Sequence, residues 1–287
     1  VKVKRAAKIN SANKTGRLSR GEWWLTIFLA AFCLLFTLVE LNNHRLWTSD
    51  FQVYYEATRD FFAGNNPYVH NYGLDTGYFK YTPFTLYLFS PHTLVSFGAG
   101  QFIHLALLSL SLIVSFTVLR RLTEKYVSAV PAGLAYLVFA CVAIHLTREL
   151  HLGNINLLLL LLFTLGARSL LAGKDFPPAL WWSLMLILKP IMILVVLPLI
   201  LQRKWKMLAY MAGFGLFFLL FPALHVGWQG NIVLWQDWLK AISAHGEYLT
   251  SFNAIGTLVQ VHTGFGAGWT VALLCLGIVV LLMVRQQ

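Results

Sequence analysis

Six apolar runs, each close to the length of a bilayer crossing, recur along this chain of 287 residues, at 23–41, 101–119, 128–146, 154–172, 207–226 and 268–284. A hydrocarbon core about 30 Å thick takes roughly 20 residues of helix, and lipid offers no partner to an unpaired backbone group. The expected class is therefore all-α, a polytopic transmembrane helical bundle. Composition agrees: 58% of the residues are hydrophobic and only 11% are charged, against about a quarter charged in soluble domains. Disordered, collagenous and disulfide-rich secreted chains are excluded. The net charge of +11 comes mainly from short basic clusters between apolar runs, which orients membrane proteins and gives no stripe for nucleic acid. Cys33, Cys141 and Cys275 each lie in an apolar stretch and form neither a zinc spacing nor a disulfide framework. The first run, 23–41, is too long for a signal-peptide core and reads as a retained span.

Seven lysines and arginines precede Trp23, so residues 1–22 are expected in the cytoplasm, with 23–287 as one transmembrane domain. Segment 176–201 is apolar but carries Lys189-Pro190 at its centre, which predicts a broken helix or hairpin that enters and returns on the cytoplasmic side. With that return, 16 of the 22 lysines and arginines fall inside, including Arg120, Arg121, Lys125, Arg168, Lys174, Arg203, Lys204 and Lys206. Eight of the 11 acids then fall outside, six of them in long outer loops at 42–100 and 227–267. The first is expected to hold an amphipathic helix over 51–63, a turn at Gly64-Asn65-Asn66-Pro67 and a second interfacial helix over 83–97. Loops on a rigid scaffold carry most chemistry, so function is expected on the outer face.

Asp50 comes soon after the first span, near the outer membrane surface, and sits among bulky apolar groups. Partial burial raises a carboxylate's proton affinity, as a general base requires, whereas Ser49 or Asp50 as a helix N-cap is the plainer alternative. Glu56 and Asp60 share a helical face, but no histidine or third acid stands at ligand spacing, so neither a metal nor any other cofactor is expected. Lys80-Tyr81-Thr82-Pro83 suits phosphate headgroups and ordinary anchoring alike. Residues 147–156 offer the Arg148 guanidinium, the His151 imidazole and the amides Asn154 and Asn156. Arg148 equally suits pairing with Glu149 or Asp50, the two asparagines suit capping the next helix, and His151 suits either a leaving phosphate or a carbonyl. Lys189, in a stretch this apolar, must face a cavity or an anion, and the phosphate of a lipid carrier is the anion available at that depth.

Three blocks resemble glycosyltransferase family 87, of the GT-C class of polytopic membrane enzymes. They are Asp50-Phe51-x-Val53-Tyr54-Tyr55-x-Ala57 with Gly64-x-x-Pro67-Tyr68; Tyr81-x-Pro83; and Gly153-x-x-Asn156 followed by Lys189-Pro190 and Arg203-Lys204-Trp205. The resemblance implies a GT-C bundle in the plasma membrane of the cell envelope that moves a mannose-like hexose. The donor would be a polyprenyl-phosphate sugar and the acceptor a hydroxyl of a glycolipid or glycan on the outer face, with inversion. It implies Asp50 as the base, Lys189, Arg148, Lys80 and His151 at the donor phosphate, and Tyr54, Tyr81, Asn156, His245 and Asn253 at the substrates. Typical members run on through further C-terminal spans, so a minimal version or a fragment is expected. The competing classes are a lipid or lipid-linked-sugar flippase, suggested by the broken segment at Lys189-Pro190, and a non-catalytic subunit acting through 227–267.

Overall fold

The computed structural model describes residues 18–73, 77–127 and 130–244, with Gly277 besides, so His245, Asn253 and nearly all of the expected last span lie outside the described residues. The described residues form helices joined by turns, and the one β feature among them is an isolated bridge between Asn71 and Tyr78.

α1 (Arg20–Asn42) opens on a capping box: the Ser19 hydroxyl accepts from the Glu22 amide and the Glu22 carboxylate accepts from the Ser19 amide. It is apolar on all sides, and Leu34 and Leu35 stay more than 60% exposed, the surface of a helix whose solvent is lipid. α2 (Ser49–Phe62) and the short α3 (Pro83–Phe89) follow, α3 running into a 3-10 turn at Ser90–Leu94. α4 (Phe97–Tyr126) runs antiparallel to α1, since the Arg121 guanidinium pairs with Glu22, and Arg120 Nη1 donates to the Gly21 carbonyl at 2.7 Å. α5 (Leu134–Leu152) starts near the same end of the bundle and finishes at the other, where the Thr48 amide donates to the His151 carbonyl. α1, α4 and α5 are long and apolar enough to cross a bilayer. The chain is a membrane protein.

α6 (Asn156–Leu171) and α7 (Phe176–Leu188) form a hairpin in which Trp182 stacks on Phe163 and donates to its carbonyl. Pro190 then ends α7, because the residue before a proline is pushed out of the helical region, and Lys189 is extended at φ −145°, ψ 92°. A 3-10 turn at Pro190–Val195 and α8 (Val196–Leu201) lead to α9 (Trp205–Leu220). Phe176 at the start of α7 packs on Tyr210 and Phe214 of α9, while Phe84 of α3, whose helix abuts the end of α7, packs on Phe218. The two helices therefore run the same way, and residues 190–201 double back between them as the broken segment was expected to do.

Three expectations shift. The third run begins at Leu134 instead of 128, because Pro131 and Gly133 delay the helix, and it continues to Leu152, so Arg148, Glu149 and His151 occupy helical turns. α6 has 16 residues, about 24 Å, short of a full crossing by itself. The run 207–226 is no straight rod: past Pro222 the chain turns by 87° into α10 (Ala223–Ala244), with Gly227 at φ 73° inside it. Much of the expected loop 227–267 is thus helix.

α2 lies across one end of the bundle. Its first turn sits on Gly153 at the α5–α6 junction, and its last, through Phe61 and Phe62, meets His225 at the α9–α10 junction. Gly153 is left-handed at φ 68°, and a Cβ there would lie 3.0 Å from the Cβ atoms of both Thr48 and Phe51. Gly153→Ala is expected to lower stability by about 1–3 kcal/mol through strain and displacement of α2. Thermal unfolding in detergent, followed by tryptophan fluorescence, measures this, and wild-type stability would contradict the close packing.

Candidate active site

Where α2 crosses the ends of α6 and α7, a cavity of about 340 Å³ is lined by Asp50, Tyr54, Lys80, Tyr81, Asn154 and Lys189, among others. Each arrives for a local reason. Asp50 stands in the first turn of α2, where the helix N-terminus favours an anion. The cap residue is Thr48, left-handed at φ 42° and without a side-chain cap bond, so neither Ser49 nor Asp50 plays the capping part. Thr48 is held in that conformation from three sides: its amide donates to the His151 carbonyl, Gln101 Nε2 donates to its hydroxyl at 2.9 Å, and Gly153 leaves it room. A β-branched residue with positive φ is strained backbone, here two residues before the carboxylate.

The two amides for which capping is the plainer alternative also reach the charged groups of the cavity. Asn154 Oδ1 accepts the Asn156 amide at 3.2 Å, which turns Asn154 Nδ2 toward Asp50 Oδ2 at 2.6 Å. Asn156 Oδ1 accepts from Lys189 Nζ at 2.9 Å, and Asn156 Nδ2 donates to Glu149 Oε2 at 2.9 Å. Asn154 and Asn156 thus link the carboxylate to the Lys189 ammonium, through the backbone amide of Asn156 on one side and its side chain on the other, with Glu149 as the counter-charge behind it. Burial drives the Asp50 carboxyl above its ordinary value, against the lowering effects of the Asn154 hydrogen bond and the charges of Lys80, Lys189 and Arg148. Burial likewise pulls the Lys80 ammonium down, partly offset by Asp50. The Lys80 carbonyl accepts from Trp238 of α10 at 3.0 Å, and Thr82 Oγ1 donates to the Ile187 carbonyl at 2.5 Å, so this wall is anchored to α10 and α7.

Tyr54 and Tyr81 share a hydrogen bond between hydroxyls at 2.8 Å, and burial lifts both phenols above their usual range. They stay protonated and act as donors and acceptors, not as bases. His151 is turned away: its Nδ1 meets Glu40 Oε2 on α1, and its ring packs on Trp47. Arg148 is exposed and outside the cavity lining, though its charge is felt at Asp50. The helical register of α5, invisible while 147–152 was read as a junction, decides both placements. Glu56 pairs with Arg59 at 3.5 Å, and no cluster of three or more metal-ligating side chains occurs among the described residues. Gln101 and Trp238 join the site through partners 53 and 158 residues away, which only the fold brings together, and Glu149 joins it across the turn between α5 and α6, whose geometry local sequence does not show.

A family model described as glycosyltransferase family 87 matches residues 79–286. The match takes in Lys80, Tyr81, Glu149, Asn154, Asn156 and Lys189 and begins after Asp50 and Tyr54. No curated protein and no solved structure matches the chain.

Proposed function

The chain belongs to glycosyltransferase family 87 and is a membrane glycosyltransferase, and from that premise we propose that it moves a hexose from a polyprenyl-phosphate carrier to an acceptor hydroxyl, with inversion, at the outer face of the plasma membrane. The observation that carries this reading is the shared cavity in which Asp50 and Lys189 stand, coupled through Asn154 and Asn156. The acceptor oxygen attacks the anomeric carbon while Asp50 takes its proton; the bond from that carbon to the phosphate oxygen breaks and its electron pair leaves on the carrier. The carrier phosphate departs as a monoester with one more negative charge than the diester had. A cation at that oxygen therefore stabilises the transition state more than the bound donor, and Lys189, with Lys80 across the cavity, supplies it.

Sidedness is supported by charge. Arg20, Arg120, Arg121, Lys125, Arg168 and Lys174 cluster at the bundle end opposite Asp50, and the end rich in lysine and arginine is the cytoplasmic one. Incubating the purified protein with a panel of polyprenyl-phosphate sugars and an acceptor tests the assignment. Release of carrier that depends on acceptor is expected. Intact lipid-linked sugar carried across a vesicle membrane would favour a flippase.

The base also predicts a pH dependence. Asp50 works deprotonated, so activity rises with pH through its raised value, and the acid limb lies above the ordinary 3.8. Asn154 lowers that value by donating to the charged form, so Asn154→Ala is expected to move the acid limb of kcat/KM to higher pH. A limb that stays in place or moves down would separate Asn154 from the titrating group.

A further inference from the structure

A second hollow, about 450 Å³, opens at the other end of α2, between the Gly64-Asn65-Asn66 turn and α10. From Asp50 to Phe61 the helix rises about 16 Å, so both hollows lie at the same end of the bundle, separated by the length of α2. The shared wall is rigid: Asn66 Nδ2 donates to Asp237 Oδ2 at 2.7 Å, and the next residue, Trp238, donates to the Lys80 carbonyl beside the first cavity. Their chemistry differs. The first carries a carboxylate and two ammonium groups. The second is lined by Phe61, Asn65, Asn66, His225 and Gln229 with glycines and aliphatic residues, and no lysine, arginine, aspartate or glutamate lines it. Among the described residues the side chains of Asn65 and Gln229 make no hydrogen bond, and each amide both donates and accepts. The rings of Phe61 and His225, 5.3 Å apart, supply an apolar surface beside them. Uncharged amides next to ring surface suit a ligand rich in hydroxyl groups and without charge, not a phosphate.

We propose that this hollow is a distal acceptor subsite that binds a neutral carbohydrate several sugars away from the hydroxyl that reacts at Asp50. The inference rests on the transferase reading and specifies its acceptor as an extended glycan lying along α2. The test compares octyl mannoside with octyl tetramannoside as acceptors for the full-length protein in nanodiscs, with polyprenyl-phosphate mannose as donor. Wild type is expected to show kcat/KM about tenfold higher for the tetramannoside. Gln229→Ala, at an exposed position, removes the amide that would bond the glycan and should raise KM for the long acceptor about fivefold, with transfer to the short one unchanged. Val233→Trp fills the hollow and should erase the advantage, with transfer to octyl mannoside reporting that the variant is folded. Equal use of both acceptors by wild type, or an advantage that survives Gln229→Ala, would overturn the subsite while leaving the transferase reading intact. Transfer to neither acceptor would overturn both.

Discussion

Asp50→Asn is expected to leave the protein folded and able to bind donor while cutting sugar transfer by about two to four orders of magnitude, the contribution of a positioned general base. Asparagine keeps an oxygen for Asn154 Nδ2, so the amide chain to Lys189 survives and only proton acceptance is lost. The stability of the variant separates this from a structural effect. An acid whose folded-state value is raised binds its proton more tightly when folded, so folding loses stability as pH rises from the unfolded value through the folded one. At neutral pH the charged Asp50 therefore opposes folding, and the asparagine variant should unfold at the same temperature as wild type or a higher one. A large loss of activity with unchanged or raised thermal stability marks a group kept for chemistry. Transfer within about threefold of wild type would remove Asp50 from the mechanism.

Lys189→Met should weaken donor binding and turnover together, by about a hundredfold in kcat/KM, because it removes the cation nearest the amide chain. Methionine fills nearly the same space, so the doubling-back at Pro190 should persist. Two further consequences come from the neighbours. Asn156 Oδ1 loses its donor, and Glu149 loses the charge opposite it, leaving the amide free to turn. Lys189→Arg should recover part of the loss, since the positive charge remains though the geometry changes. Donor affinity equal to wild type in Lys189→Met would assign the ammonium to a structural pairing with Asn156.

Much of this site was legible along the chain. Lys189-Pro190 announced both the helix end and a cation with nowhere to go in lipid, and the structure shows the proline ending α7 where Lys189 can reach Asn156. Local chemistry singles out Asp50, Lys80 and Tyr81, and they line one cavity with Asn154 and Lys189. What escaped was register and pairing. Capping is the local reading of Asn154 and Asn156, and Asn154 Oδ1 does accept the Asn156 amide at the start of α6, but the partners that tie the two to the site, Asp50 and Lys189, lie 104 and 33 residues away in the chain. The His151 imidazole suits a phosphate or a carbonyl by local chemistry, yet α5 turns it to Glu40 on α1. Hydropathy alone draws residues 207–226 as one span; Pro222 and Gly227 are the cues to the 87° bend that lets Trp238 of α10 brace the Lys80 wall of the site.

The single-displacement account is tested most directly by the configuration of the product. Purified protein in nanodiscs would be given a polyprenyl-phosphate hexose of defined anomeric configuration, and the new glycosidic bond read by one-bond carbon–proton coupling. Attack by an acceptor oxygen deprotonated at Asp50, with the phosphate leaving toward Lys189, predicts one inverted anomer and one carrier phosphate released per bond formed. A retained configuration, or bound donor from which no glycosidic bond forms, would contradict it.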